Sequence, residues 1–334
     1  MSHPVPEAAP RPEPAIVLDQ VTHAFGDRIA VDNLSFTVEP GSILGLIGPS
    51  GSGKTTAVRM MAGTLMPSFG TVRVLGENPV EFRRETRKVL AYMPQLSGLY
   101  ADLTAAENVG FVAALHGIGP FRRRGAVARA LDIVELGDDR GSLARRLSGG
   151  MQRRLELACA LVHDPQIGFL DEPTAGIDPI LRRSIWEELH RRRDAGMTLV
   201  VTTQHVAEAE WCDVVALVAD GELVACDQPE NLRRIAFGGD VLHLDTDVPV
   251  DPELLADVEG LLAVRPLGPT RLAVVAEDAA VASPRIVDAL RERGVDVTGL
   301  TEHTASFDEI FEVIVERRRA ERSADAAEHE ESAA

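Results

Sequence analysis

A glycine-rich run of eight residues has the residue types and spacing of a loop that binds phosphate groups. It fits G-x-x-x-x-G-K-[ST] at each fixed position, with the residues Gly48, Pro49, Ser50, Gly51, Ser52, Gly53, Lys54 and Thr55. The glycines let successive backbone N–H groups point at phosphate oxygens. The lysine reaches the β- and γ-phosphates, and the threonine hydroxyl is a ligand for Mg²⁺. The run therefore predicts a site for a nucleotide phosphate chain and Mg²⁺.

The segments on either side of this loop have the patterns needed to position it. Residues 42–47 form a short apolar run that predicts a buried strand, and residues 55–65 predict a helix. The phosphates would then lie at the N-terminus of a helix, where the helix dipole favours negative charge. A glycine-rich turn with a chance lysine does not explain this order of strand, loop and helix.

Two adjacent carboxylates end a second apolar strand, which covers residues 166–170. Asp171 is expected to face Mg²⁺, as the aspartate at the end of such a strand does in phosphoryl-transfer enzymes. Glu172 is expected to point elsewhere and to polarise the water that attacks the γ-phosphate. A solvated strand end is the alternative, but the preceding phosphate loop favours the catalytic interpretation.

A third motif begins a further helix with Ser148, Gly149 and Gly150. A serine hydroxyl and glycine amides at a helix N-terminus provide a second anion site, although alone they indicate only a helix cap. In this order and spacing the three motifs resemble the ATP-binding subunit of an ABC transporter, over residues 15–235. The resemblance implies an α/β P-loop NTPase fold, with a core sheet and a helical subdomain.

The resemblance also implies the roles of site residues. ATP would contact the whole phosphate loop and Thr56, and Mg²⁺ would be held by Thr55, Gln95 and Asp171. Lys54, Gln95, Glu172 and Gln204 would act in hydrolysis. Two subunits, most simply two copies of this chain, would pair head to tail. Each copy's Ser148, Gly149, Gly150 and Asp178 would then complete the site of the other.

Two further motif residues have competing explanations. Phe25 matches the aromatic position that stacks on adenine, and an ordinary core aromatic is the alternative. Gln95 matches the Q-loop, and the segment that follows it, residues 96–117, would belong to the helical subdomain that touches a membrane partner. Within that segment, Thr104 and Glu107 also have the spacing of a capping box.

The residue that senses the γ-phosphate departs from the usual histidine. The motifs on either side place Gln204 at this position and His205 one residue beyond. Side chains alternate along a strand, so both residues cannot face the phosphate equally well. Glutamine donates a hydrogen bond without carrying a charge. We favour Gln204, and His205 stays as the alternative.

Composition limits the functional classes. The 334 residues carry a net charge of −18, which argues against a general nucleic-acid partner. Three widely spaced cysteines predict free thiols rather than a disulfide framework or a zinc site. No apolar run reaches the ~18–20 residues of a membrane-spanning helix. A membrane role would therefore require a partner.

Residue patterns predict four segments. Residues 1–14 are a proline-rich disordered arm, 15–235 the ATP-binding domain, 236–318 a small α+β domain of ferredoxin-like order, and 319–334 an acidic disordered tail. The chain resembles the daunorubicin-resistance class of exporter subunits in three features. These are the glutamine at the position that senses the γ-phosphate, the added domain, and residues 304–311.

The expected function is therefore an ATP-hydrolysing subunit of an exporter for a drug, lipid or other hydrophobic compound. It would act at the cytoplasmic side of the membrane through a separate permease. A soluble ABC ATPase acting on ribosomes or DNA is the alternative. Three features count against this alternative. They are the single nucleotide domain, the absence of a heptad-rich insertion between residues 55 and 148, and the acidic charge.

Overall fold

A computed structural model describes residues 13–303 and 305–333. Except for residues 13 and 14, the expected proline-rich arm lies outside this range. The chain divides into two compact units between Leu223 and Val224. Within the described ranges, no helix is both long and apolar enough to span a bilayer.

The first unit alternates strands and helices, as the sequence patterns predict. Its elements are β1 (Ile16–Phe25), β2 (Arg28–Val38), β3 (Ile43–Ile47), α1 (Lys54–Met61), β4 (Phe69–Val74), α2 (Arg84–Lys88), β5 (Leu90–Met93), α3 (Ala105–Leu115), α4 (Pro120–Ile133), α5 (Gly149–Leu161), β6 (Ile167–Asp171), α6 (Pro179–Asp194), β7 (Thr198–Thr203) and β8 (Val214–Ala219). Strand β9 (Glu222–Asp227) crosses the boundary between the units.

The main sheet has the strand order β5-β6-β7-β3-β8-β9. Strands β5, β6, β7, β3 and β8 pair in parallel. Every residue of β3, β6 and β7 is buried, as expected for strands covered on both faces. Because these strands are parallel, their carboxyl ends meet at one edge of the sheet, where α/β folds bind ligands.

A separate antiparallel sheet, β2-β1-β4, packs its apolar side chains into the same core. Helices α3, α4 and α5 contact one another, which agrees with the expected helical subdomain. The capping box also forms, since Thr104 and Glu107 bond to each other's backbone N–H at the start of α3.

The second unit contains α7 (Pro229–Phe237), β10 (Asp240–Thr246), β11 (Leu261–Gly268), β12 (Arg271–Ala276), α8 (Ala279–Glu292), β13 (Val297–Glu302) and α9 (Phe307–Ala333). Its strand order, β11-β12-β10-β13, is that of a split βαβ unit. A 3₁₀ helix at Pro252–Leu255 takes the place of the first crossover helix.

The structure differs from the sequence at both ends of this unit. Helix α7 belongs to it rather than to the first domain, because α7 contacts α9 and Arg317 donates hydrogen bonds to the carbonyls of Ile235 and Ala236. Helix α9 continues to Ala333, where the sequence indicated a disordered tail. Alanine, glutamate and arginine dominate residues 316–333, and all three favour helices.

Candidate functional site

The phosphate loop leaves the carboxyl end of β3 and enters α1. Gly53, at the N-cap of α1, has a φ of 101°, a left-handed conformation that suits glycine. A Cβ at Gly53 would collide with the Ala30 carbonyl, and one at Gly48 would collide with the Val218 carbonyl. The backbone of the loop therefore lies close against neighbouring strands, and side chains at these two positions would displace it.

Lys54 lies beneath the loop, with only 5% of its surface exposed. Its Nζ donates hydrogen bonds of 2.8 Å to the carbonyls of Gly48 and Pro49. Burial lowers the pKa of the lysine, while the nearby carboxylates of Glu172 and Asp171 act in the opposite direction. These contacts fix the ammonium at the inner wall of the loop.

Asp171 is fully buried at the end of β6. Its Oδ1 accepts hydrogen bonds from the hydroxyls of Thr55, at 3.2 Å, and Thr202. Its Oδ2 is buried without a hydrogen-bond partner. A buried carboxylate oxygen without a donor fits a cation, and Mg²⁺ prefers carboxylate and hydroxyl oxygens. Thr55 and Asp171 are therefore suited to hold Mg²⁺ together.

Glu172 follows Asp171 in a left-handed backbone conformation, with a φ of 53°. Its N–H donates to the hydroxyl of Thr202 at 2.9 Å, and its carbonyl accepts from Nε of Arg153 at 3.0 Å. A non-glycine residue in this conformation is uncommon and needs support from its surroundings. The Glu172 side chain is partly exposed, whereas that of Asp171 is fully buried.

A cleft of about 330 Å³ brings most of the predicted residues together. It is lined by Phe25, Arg28, Ala30, Ser50, Gly51, Ser52, Gly53, Lys54, Thr55, Thr56, Gln95 and Glu172. Phe25 is 49% exposed, so it is not a core aromatic. Its ring packs edge-on against His23, with 4.6 Å between ring centroids. The sequence did not single out Arg28 or Ala30, which only the β1–β2 hairpin brings to this cleft.

Ser148, Gly149, Gly150 and Asp178 do not line the cleft of their own copy. The hydroxyl of Ser148 caps α5 by accepting from the Met151 N–H at 3.3 Å. Asp178 caps α6 through two backbone N–H groups at 3.1 Å. A Cβ at Gly150 would lie 3.1 Å from the Gly176 carbonyl, so the two motifs are neighbours on the surface of the unit.

Gln204 and His205 directly follow β7, and neither is among the residues that line the cleft. Gln204 is exposed and His205 is half-buried. The His205 N–H donates to the hydroxyl of Thr203 at 3.0 Å. Both residues thus follow the carboxyl end of β7, the strand that pairs with β6.

Sequence reasoning missed Thr202 and Arg153. Thr202 is the residue on β7 that pairs with Asp171 on β6. Arg153 is buried in α5 and bonds to carbonyls 18 and 19 residues away. The available sequence signal was an arginine three residues before a glutamate, within a helix whose other residues are largely apolar.

Comparison with known proteins agrees with this architecture. Residues 31–175 match the model of the ABC transporter family. The chain is 42% identical over 212 residues to the probable multidrug ABC transporter ATP-binding protein YbhF of Escherichia coli, covering 64% of this chain and 37% of that protein. It is 38% identical over 240 residues to the Nod factor export ATP-binding protein I of Paraburkholderia xenovorans, covering 72% and 79% of the two chains.

Solved structures confirm the predicted fold. An ATP-binding subunit of an ABC transporter matches with a TM-score of 0.61 at 22% identity, covering 66% of this chain and 92% of that one. A dimeric ATP-binding cassette in a post-hydrolysis state with ADP and Pi matches with a TM-score of 0.59 at 26% identity, covering 64% and 98%. The chain therefore belongs to the ABC transporter family, as one of its ATP-binding subunits, and carries that family's ATPase domain.

Proposed function

We propose that this chain is the ATP-hydrolysing subunit of an exporter, and that it drives a drug, lipid or other hydrophobic compound through a separate permease. The observation that carries the proposal is the Asp171–Glu172 pair at the edge of the cleft. One carboxylate has a buried oxygen without a partner, and the next lines the same cleft as the phosphate loop. Export is supported by relatives named for multidrug transport and Nod factor export.

Positioning and charge stabilisation account for most of the catalysis in such a site. Thr55 and Asp171 would hold Mg²⁺, which would supply positive charge next to the transferred phosphoryl group. Lys54 neutralises the charge on the β–γ bridge. Glu172 orients the attacking water and accepts its proton. Gln95 provides an amide oxygen in the lining of the cleft. Phe25 stacks on the adenine.

A second copy completes the site in this proposal. Ser148, Gly149, Gly150 and Asp178 lie outside the cleft of their own copy, on the surface of the first unit. In a head-to-tail pair, the amides at the start of α5 reach the γ-phosphate bound by the other copy. ATP then favours the closed pair through contacts that the open pair lacks, and hydrolysis reverses this preference.

The helical subdomain is the proposed contact with the permease, at the cytoplasmic side of the membrane. Large apolar side chains are exposed around it, at Leu96, Leu115 and Phe121. Exposed apolar side chains in one region mark an interaction surface. The Q-loop at Gln95 joins this region to the cleft, so that movement of the subdomain can be coupled to ATP.

We also assign the chain to the daunorubicin-resistance class of exporter subunits. The support is Gln204 in place of the usual histidine, together with the second unit. The chain spans only 37% of the length of its relative YbhF.

The test is the Glu172→Gln variant of the full-length chain. With Mg²⁺ and ATP it is expected to bind ATP, hydrolyse it very slowly and accumulate as a closed dimer in size-exclusion chromatography. Glu187→Gln, which changes an exposed glutamate of α6, is the matched control and is expected to behave as wild type. Wild-type turnover in Glu172→Gln would remove Glu172 from the role of base.

A second experiment distinguishes an exporter subunit from a soluble ABC ATPase that acts on ribosomes or DNA. Tagged chain is recovered from gently solubilised membranes and from the ribosomal fraction. The proposal expects it in a complex with a polytopic protein that lacks a nucleotide domain. Recovery on ribosomes alone would replace the exporter by a soluble ATPase.

A further inference from the structure

Arg153 is a buried cation outside the predicted site. It lies on α5, five residues after Ser148, and only 8% of its surface is exposed. A guanidinium has five N–H donors in a rigid fork, and burying it requires acceptors in matching positions. The backbone acceptors here come from two segments far apart in sequence, residues 94–95 and 171–172, and each segment has a residue that lines the cleft.

Two of these acceptors are the backbone carbonyls of Asp171 and Glu172, the residues whose carboxylates are proposed to act in hydrolysis. Nε of Arg153 donates to the carbonyl of Glu172 at 3.0 Å, and Nη2 donates to the carbonyl of Asp171. The arginine therefore holds the backbone on both sides of the Cα of Glu172. The Glu172 N–H is held independently by the hydroxyl of Thr202.

This support explains how Glu172 keeps its left-handed backbone. A glutamate with a φ of 53° is strained and persists only where its surroundings determine it. The direction of the carboxylate follows from this backbone conformation. A side chain that fixes the two flanking carbonyls thus fixes where the carboxylate points.

The same guanidinium holds the start of the Q-loop. Nη1 donates to the carbonyl of Pro94 at 2.8 Å and, more weakly, to that of Gln95 at 3.4 Å. It also donates to Oε2 of Glu156, one turn further along α5, at 2.6 Å. Glu156 is itself buried and balances the charge of the arginine.

We propose that Arg153 is a positioning residue for ATP hydrolysis, which fixes the Glu172 carboxylate and the Q-loop backbone relative to α5. It is not among the residues that line the cleft, and it acts through the backbone of Asp171, Glu172 and the Q-loop. This inference rests on the proposed function, because the role of Glu172 belongs to it. Ser148 caps the same helix, α5, whose start is proposed to reach the ATP of the second copy. Arg153 therefore connects this helix with Glu172 in the site of its own copy.

The test is Arg153→Lys in the full-length chain, with Arg154→Lys as the matched control. Lysine keeps the charge but lacks the planar fork that reaches several carbonyls. Arg154 occupies the next position on α5 but donates to the carbonyls of Val134 and Glu135. Arg153→Lys is expected to lower kcat by about 10²-fold, the cost of a small misplacement of a reacting group. The KM for ATP and the Mg²⁺ requirement stay near wild type, and Arg154→Lys retains kcat.

Several results would overturn the positioning role. One is a wild-type kcat in Arg153→Lys, and another is an equal loss in Arg154→Lys. A rise in KM that accounts for the whole loss would indicate a binding role instead. If Arg153→Lys does not fold, Glu156→Gln serves in its place, because a neutral acceptor weakens the orientation of the arginine. It is expected to lower kcat several-fold at unchanged KM, and an unchanged kcat would overturn the proposal.

Glu172→Gln, measured alongside, separates the two claims. Wild-type turnover in that variant overturns the proposed role of Glu172 itself. Slow turnover there, combined with normal turnover in Arg153→Lys, overturns the positioning role of Arg153 alone.

Discussion

The hydroxyl of Thr202 donates a hydrogen bond to Oδ1 of Asp171 and accepts one from the N–H of Glu172. One buried side chain on β7 thereby orients the carboxylate proposed to hold Mg²⁺ and supports the turn that carries the proposed base. The direct pairing of Thr202 with Asp171 in the parallel sheet makes both contacts possible. The geometry of the site thus depends on a strand that contributes no atom to the lining of the cleft.

Thr202→Val is expected to lower kcat by about 10–100-fold, since it removes one hydrogen bond to the Asp171 carboxylate and one from the Glu172 N–H. Valine has the shape of threonine and removes only the hydroxyl. The control is Thr198→Val on the same strand, whose buried hydroxyl accepts from the Gly41 N–H at 2.9 Å, away from the carboxylates. Each variant removes a hydroxyl and its hydrogen bonds, and should lose about 0.5–1.5 kcal/mol of unfolding free energy for each bond removed. Steady-state ATPase assays would contradict the prediction if both variants lost activity equally.

Phe25→Ala is expected to raise the KM for ATP about tenfold or more, because stacking on a base contributes about 1–3 kcal/mol. Phe25→Trp should restore binding, since any aromatic face can stack. Phe69→Ala, which removes an exposed aromatic ring from β4, is the control and should leave the KM unchanged. Titration with a fluorescent ATP analogue measures the affinities of the three variants and of wild type. Equal affinities for Phe25→Ala and wild type would show that Phe25 is an exposed aromatic without a role in binding ATP.

The local parts of the site were predictable, and the parts built by distant contacts were not. The phosphate loop and the Asp171–Glu172 pair lie within short motifs whose flanking strands and helix have clear periodicity, and the structure has them in the predicted order. The partners of Thr202 and Arg153 at the end of β6 and in the Q-loop lie 18 to 59 residues away. A single sequence does not reveal such pairs, because nothing in the chain between the partners determines that they meet.

The division between the units illustrates the same limit. Helix α7 follows the last strand of the nucleotide domain and continues the alternating pattern, so the sequence grouped it with that domain. Its assignment instead depends on Arg317, 82 and 81 residues from its acceptors on α7. Apolar periodicity indicates the strands and the later helices of the second unit along the chain, but the segment expected to be its first helix is a 3₁₀ helix at Pro252–Leu255.

Gln204→Ala is expected to reduce kcat far more than His205→Ala. The motifs on either side place Gln204, which directly follows β7, at the position that senses the γ-phosphate. Losing a donor to the γ-phosphate oxygen costs about 10²-fold in kcat. Turnover of both variants in the assembled transporter is the measurement. A loss in His205→Ala alone would reverse the assignment and make the histidine the switch.

His163→Gln is expected to change how the stability of the first unit depends on pH. Burial, reinforced by the neighbouring His116, lowers the pKa of His163 from 6.5 to about 4. The two rings stack with 3.5 Å between centroids, and Nε2 of His163 lies 3.0 Å from the Leu90 carbonyl. The folded chain thus keeps this imidazole neutral at a pH where the unfolded chain protonates it.

The sign of the effect follows from this difference. The contribution of His163 is fully present above pH 6.5 and is lost as the pH falls to about 4. The loss amounts to about 1–3 kcal/mol, since each pKa unit corresponds to about 1.4 kcal/mol and His163 is only partly buried. His163→Gln removes the titrating group, so its unfolding free energy should fall less than that of wild type between pH 7 and pH 4.5.

Urea unfolding followed by tryptophan fluorescence isolates the first unit, because both tryptophans, Trp186 and Trp211, lie within it. Parallel curves for the two proteins would show that His163 titrates normally in the folded chain.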